Sequence, residues 1–446
     1  MAPLPLRPCK VLIAGGGIAG LALALMLEKN GIDYTLLESY PEIVAKVGTG
    51  VCLMPTGSRI LDQLGCYDAL LAEAQNVVDI MDYRDENGKS LATIDGWEKL
   101  TSERYGYPLF WIARTGLLKV LYNSITDKSK ILSQKRIASV ENLEDAVQVT
   151  TTDGSIYSGD ILVGTDGVHS RVRREMMRHA KERGIDKDYD EDHKISAKYE
   201  CLFGKSTTVP GIPSGYLGFG LNKGFSYVVG TGPDNLTFWF LARKMEQTLL
   251  GDDIDSFEGN TEGLVQEHWD DRITPNVQFA DLYKHRLSVI HTPLREYVYD
   301  RWHLARTIVL GDASHKMTPI LGLGGNSALE SVAAMTNSLV DVLARPDSSS
   351  TRLSGSEING MFTEVEKLRA PRALKMMQAS HERQCMDTLE TPELAEIMLR
   401  RFPKMARQAI FKRWDSVFPQ AVSLKSLPLP AKKGAVPFED DCHARL

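Results

Sequence analysis

An apolar run from residue 11 to residue 27 dominates the start of the chain, but Gly15, Gly16, Gly17 and Gly20 interrupt it and Glu28-Lys29 end it. A membrane span needs about 20 predominantly apolar residues. A buried strand, a turn and a buried helix account for the pattern better. The spacing predicts a strand over 10–14, a glycine turn, a helix over 18–30 and a second strand over 34–38, the strand–helix–strand unit of a parallel sheet.

To about residue 180 the pattern stays mixed α/β. A helix is expected over 173–183, and the run 184–193 is too charged to pack inside, which makes it a surface loop. From 197 to about 298 the period shortens. Segments such as Phe225-Ser-Tyr-Val-Val-Gly and Leu236-Thr-Phe-Trp-Phe-Leu, divided by Gly, Pro and Asn turns, predict an inserted, largely antiparallel sheet. Strand character returns at 307–310, and helical periodicity follows at 326–343 and 358–380. Residues 346–351 are expected to be a loop, and the Pro-rich, polar end after Ser426 a surface-draped or frayed tail. The resulting division is 1–180 and 301–345 for a Rossmann-like nucleotide-binding part, 195–300 for a substrate-binding sheet, and 346–446 for C-terminal helices and tail. The fold class is α/β.

Composition narrows what such a fold does. With 446 residues, two structural units or one composite domain are expected. Lys and Arg number 52 against 58 Asp and Glu, a net charge of −6, which leaves no basic excess for a nucleic-acid backbone. Cys9, Cys52, Cys66, Cys201, Cys385 and Cys442 form no C-x-x-C pair, so neither a zinc site nor a disulfide framework is indicated and a reducing, intracellular, cytoplasmic setting is the expectation, with at most loose contact to a membrane surface. The first residues lack the charged and apolar regions of a secretion signal.

Three motifs carry chemistry. Gly15 to Gly20 matches G-x-G-x-x-G between a strand and a helix, where free N–H groups and the helix dipole favour a pyrophosphate. Glu38 follows at the end of the next strand, where a carboxylate accepts ribose hydroxyls; NAD or FAD would fit there and NADP would not. Asp166-Gly-Val-His-Ser-Arg-Val-Arg follows an apolar strand and either meets phosphate and ribose or simply caps the next helix. Gly311-Asp312 also follows a strand and precedes Gly324, Gly325 and Asn326 at a helix start. Asp312 there suits a ribityl hydroxyl, and the 324–326 N–H groups suit negative charge at a flavin's pyrimidine edge.

In order and spacing these motifs resemble the dinucleotide, DG and GD motifs of the para-hydroxybenzoate-hydroxylase-like class A flavin monooxygenases, over roughly residues 8 to 380. Within that group the stretch 47–65, Tyr199-Glu-Cys-Leu-Phe-Gly and His315-Lys-Met-Thr-Pro resemble fungal epoxidases of the paxilline type. The resemblance implies FAD as cofactor, NAD(P)H and O₂ as co-substrates, and oxygen delivery through a flavin C4a-hydroperoxide to a small hydrophobic substrate. It also assigns Gly50 and Cys52 to the flavin site, Cys52 standing where relatives commonly have a small residue, and it places Arg114 near the flavin's polar arm. No metal site or Ser-His-Asp constellation is evident, so the hard chemistry falls to the cofactor. Tyr216, Tyr227 and Glu200 in the sheet region are the candidates for proton delivery or for orienting the substrate; Tyr199 is a further one. An aromatic hydroxylase of the salicylate-hydroxylase kind, or a flavin reductase that transfers no oxygen, fits the same motifs.

Overall fold

In the computed structural model, which describes residues 6–45, 48–189, 194–345 and 352–443, the glycine-interrupted run folds as expected. Strand Lys10–Ala14 is followed by helix Ile18–Lys29, nine of whose twelve residues are buried, and by strand Asp33–Leu37. The helix is apolar on every face because the parallel sheet lies on one side and the long helix Leu323–Leu343 on the other. The expected loop at 346–351 and the end of the charged run, 190–193, lie outside the described residues.

The first sheet has the order His303–Leu304, Thr307–Val309, Ile161–Gly164, Lys10–Ala14, Asp33–Leu37, Ile131–Leu132 among the described residues. All its neighbours are parallel except the first pair. The three motifs therefore sit on loops that leave the same end of adjacent parallel strands, where a doubly wound sheet binds its ligand.

The second sheet is larger and does not respect the division expected from the sequence. Its eight described strands run from edge to edge as His315–Lys316, Arg286–Val298, Ser196–Ser206, Thr237–Leu250, Phe225–Thr231, Tyr216–Leu221, Ile80–Arg84 and Ser90–Asp95. Two strands come from the first 180 residues, and Ile80–Arg84 joins Tyr216–Leu221 in parallel, making a mixed sheet. A short antiparallel pair, Gly50–Leu53 with Phe110–Ala113, ties the two sheets together and brings Cys52 opposite Trp111.

Helix Gly355–Asp387 starts with a capping box, Ser354 and Glu357 bonding each other's backbone N–H, and runs past the expected end at 380. Residues 392–415 form further short helices over the second sheet. The tail is draped on the surface as expected, but it is pinned there. Arg59, 2% exposed, meets Asp441 at 2.6 Å and Asp440 at 2.7 Å, Phe438 is buried, and Gln63 Oε1 accepts from Leu424 N at 2.8 Å. Among the described residues no helix is long and apolar enough to cross a membrane.

Candidate active site

The three glycines of the first motif do different jobs. Gly15 turns the chain at φ +98°, a conformation that favours glycine, and a Cβ there would lie 2.8 Å from the Thr165 carbonyl oxygen. A Cβ on Gly20 would lie 1.9 Å from the Gly15 oxygen, so this glycine sets how closely the helix packs. Gly17 is extended, at φ −75° and ψ −170°, and a Cβ there would meet only Arg114 Nη2, at 3.8 Å. Open space beside Gly17, at the start of a helix with free N–H groups, is what a pyrophosphate needs.

Glu38 is 8% exposed and faces this turn. Its Oε2 accepts from Gly16 N at 2.5 Å, and its Oε1 from Tyr40 N at 2.8 Å. Oε1 also accepts from Ser39 Oγ at 3.1 Å, so it is Oε2 that keeps a further lone pair for a ribose hydroxyl. Asp166 stands opposite, but its carboxylate is committed locally. It accepts from Ser170 Oγ at 2.5 Å, Arg171 N at 2.7 Å and Val172 N at 3.0 Å, capping helix Arg171–Glu182. The helix-cap reading of the second motif is what the side chain shows, and the residue also lines a cavity with Gly15, Ser39 and Arg136.

Asp312 lies at the head of a second cavity of about 320 Å³. Burial alone would raise its carboxyl, but the paired Lys316 ammonium, with His315 and Arg114 nearby, holds it below the usual carboxylate range. It is therefore an anion and a hydrogen-bond acceptor. Helix Leu323–Leu343 points its N-terminus into the same cavity, which Gly324 and Gly325 line. A Cβ on Gly324 would meet nothing. Asn326 spends its side chain on the scaffold: Nδ2 donates to the Cys52 and Gly322 carbonyls at 3.0 and 2.7 Å, and Oδ1 accepts from Met54 N at 3.1 Å. The amide thus clips strand Gly50–Leu53 to the helix start. Gly50 is needed there, since a Cβ would lie 2.6 Å from the Phe238 ring. Arg114 links the two ends, with its guanidinium near Gly17 and its charge felt at Asp312.

A third cavity of about 330 Å³ adjoins the second, and Cys52, Trp111, Pro319 and Gly322 line both. Its remaining wall is almost wholly apolar, with Met81, Leu217, Phe219 and Val228 from the second sheet and Ile397, Phe402 and Trp414 from the C-terminal helices. Burial pushes the Cys52 thiol up to about 12, so it is a neutral part of this wall.

The residues fit FAD. Open space beside Gly17 at a helix start and the Glu38 carboxylate suit an adenosine diphosphate, and the anionic acceptor Asp312 and the helix N-terminus at Gly324 line the cavity that adjoins the apolar one. A profile described as FAD binding domain matches residues 8–190 and 253–353. The chain belongs to the FAD-dependent monooxygenase family. Fungal members of this family resemble it over most of its length. The FAD-dependent monooxygenase spyC of Aspergillus fumigatus is 36% identical over 84% of this chain and 78% of its own, and olcE of Penicillium canescens is 32% identical over 95% of this chain and 91% of its own. AnuJ of Penicillium roqueforti is 35% identical over 97% of this chain, which spans only 54% of that longer protein. The fold is that of Klebsiella pneumoniae HpxO crystallised with FAD (TM-score 0.75, 19% identity, 93% of this chain and 99% of that one) and of a salicylate hydroxylase substrate complex (TM-score 0.68, 17% identity, 95% and 99%).

Against this monooxygenase frame the three expected catalytic side chains are misplaced. Tyr216, Tyr227 and Glu200 lie on the face of the second sheet turned away from both cavities. Tyr216 OH takes a hydrogen bond from Arg84 Nε at 3.1 Å, Tyr227 OH donates to Asp271 at 2.8 Å, and Glu200 accepts from Arg243 and from His291 at 2.8 Å. Burial pushes the Tyr216 hydroxyl up to about 12 and the Tyr227 hydroxyl well up from its ordinary value. The reason is the pleat: side chains alternate, so Leu217, Phe219 and Val228 reach the cavity and their immediate neighbours cannot. Tyr199 is on the cavity side of the sheet but turns its hydroxyl to Glu390. The sequence reading missed the C-terminal roof and three arginines on the cavity wall, of which the buried one is Arg383. Its signal was weak because a single arginine on a long helix ordinarily faces water.

Proposed function

We propose that this chain uses FAD, NAD(P)H and O₂ to add one oxygen atom to a small hydrophobic molecule, by epoxidation of an alkene or hydroxylation of a ring, in fungal secondary-metabolite biosynthesis of the meroterpenoid or indole-diterpene kind. The observation that carries this reading is the wall shared by two cavities. One is polar at its ends and suits a flavin; the other is apolar and roofed, and suits a greasy substrate held against that flavin.

Bound FAD would supply the redox chemistry, accepting two electrons and activating O₂. The chain's residues supply binding, orientation and dryness. Free N–H groups at Gly17 and the Arg114 guanidinium neutralise the diphosphate; Asp312 accepts from a ribityl hydroxyl; the N-terminus of helix Leu323–Leu343 stabilises negative charge on the flavin ring. Trp111 and Cys52 form the partition against which substrate lies, and the roof of Ile397, Phe402 and Trp414 keeps water out. The relatives' names support the reaction class, and the fungal origin of those relatives supports the metabolic setting.

The test is isotopic. Purified protein should release FAD on acid precipitation and, with NADPH, ¹⁸O₂ and prenylated aromatics or indole terpenoids, give a product that gains one ¹⁸O. Substrate-stimulated NADPH oxidation without label in product would make the chain a flavin reductase instead.

A further inference from the structure

Arg383 projects from helix Gly355–Asp387 into the wall of the apolar cavity, and it is only 7% exposed there. Its guanidinium carbon stands 5.1 Å from the centre of the Tyr83 ring, 5.3 Å from Phe219 and 5.6 Å from Phe402, and all three rings also line the cavity. None of these residues reaches the flavin cavity. Asp387 Oδ1 lies 2.8 Å from Arg383 Nε, an ion pair across one helical turn with both groups buried. Nε and Nη2 of Arg383 and both carboxylate oxygens of Asp387 are buried without a hydrogen-bond partner among the described residues.

Such an arrangement is costly as pure architecture. A buried ion pair recovers its desolvation only when its remaining donors and acceptors are satisfied, and apolar residues of similar volume would fill the space better. Charge points the same way. Arg413, which also lines the cavity, feels both Arg383 and Asp387, with Glu382 in electrostatic range. Arg383, Arg401 and Arg413 all line the cavity and no carboxylate does, an excess of positive charge in an otherwise greasy chamber.

We propose that Arg383 is an anion-recognising subsite of the substrate cavity, and hence that the substrate is an apolar molecule bearing one acidic oxygen group, a carboxylate, phenolate or enolate, away from the carbon that is oxygenated. The inference rests on the reading of the apolar cavity as the substrate site. A planar guanidinium offers two parallel N–H donors to such a group, and stacked aromatic rings hold the plane in place without competing for those donors. The ion pair would clamp the headgroup while the apolar wall orders the chain toward the partition at Trp111.

Para-octylbenzoate and its methyl ester make a matched pair of probes, equal in apolar surface and different in charge. Trp111 and Trp414 line the cavity, so quenching of tryptophan fluorescence reports binding without reliance on the flavin. In the unaltered protein at neutral pH the acid should bind at least about tenfold tighter than the ester. Arg383→Met should weaken acid binding roughly ten- to a hundredfold while leaving the ester within about twofold, and Arg383→Lys should fall between. Equal binding of acid and ester to the unaltered protein overturns the proposal with no variant needed. So does an equal loss of both probes in a folded Arg383→Met protein. FAD content, measured separately by acid release, distinguishes the two readings: acid preference in a chain that carries no FAD would leave this subsite standing and remove the oxygenase.

Discussion

Gly17 separates the protein's own needs from its ligand's. Valine at this position introduces a side chain into backbone that is already extended, at φ −75° and ψ −170°, and its Cβ meets nothing nearer than Arg114 Nη2 at 3.8 Å. The fold should accept it, with a stability change within about 1 kcal/mol, since a less flexible unfolded chain offsets a poorer helix start. FAD should not. A side chain there holds the diphosphate off the N–H groups that would bind it, and two charge-assisted hydrogen bonds are worth roughly 3–6 kcal/mol together. Affinity should therefore fall by about a hundred- to ten-thousandfold. Flavin fluorescence titration gives the affinity directly. Thermal unfolding gives a second readout, because FAD at a hundred times its dissociation constant adds about 2.7 kcal/mol of stability to the unaltered protein and almost none to the variant. Gly20→Ala is the contrast: its Cβ would lie 1.9 Å from the Gly15 oxygen, so it should lower stability even without ligand. If Gly17→Val binds FAD within threefold of the original affinity, the diphosphate does not lie at this turn.

Asp312→Ala should weaken FAD about ten- to a hundredfold, with activity largely returning in excess FAD; full flavin occupancy with lost turnover and a shifted pH profile would make Asp312 a proton-transfer residue instead. Removing residues 434–443 should leave Arg59 buried without its two carboxylates and cost about 3–5 kcal/mol, readable as a lower denaturant midpoint; an unchanged midpoint would mean the tail is an ornament. Acid stability should decline in two stages. Burial pushes His315 and His303 down to about 4, so as pH falls from 6.5 the unfolded chain takes up protons that the folded one refuses, and stability drops until about pH 4, each histidine contributing part of the stage. The Arg7 guanidinium holds Glu357 down to about 2, a stabilisation complete above pH 4.5 and lost as pH falls toward 2, worth about 1 kcal/mol at its partial exposure. His315→Gln should flatten the upper stage of a melting-temperature profile and Glu357→Gln the lower; a profile unaltered by either change would show that other groups control it.

The nucleotide-binding half was legible in the sequence because its signals are local. A strand, a turn and a helix occupy some thirty consecutive residues, and Gly15, Gly20 and Glu38 are fixed by backbone geometry that short spacing already encodes. The same holds for Gly311-Asp312 and the glycines at the start of helix Leu323–Leu343. The substrate side was not legible in this way. Strand Ile80–Arg84 joins Tyr216–Leu221 across some 130 residues, and the roof comes from 392–415, so no window of the sequence contains the cavity. Alternation identified the strands, but it leaves open which of two faces is turned to the flavin, and a shift of one residue exchanges Tyr216 for Leu217 and Tyr227 for Val228. The chain alone thus determined which cofactor the protein is built to hold. Only the packing of distant elements decided what lies against that cofactor, because a cavity belongs to the surfaces that meet around it and not to any one segment.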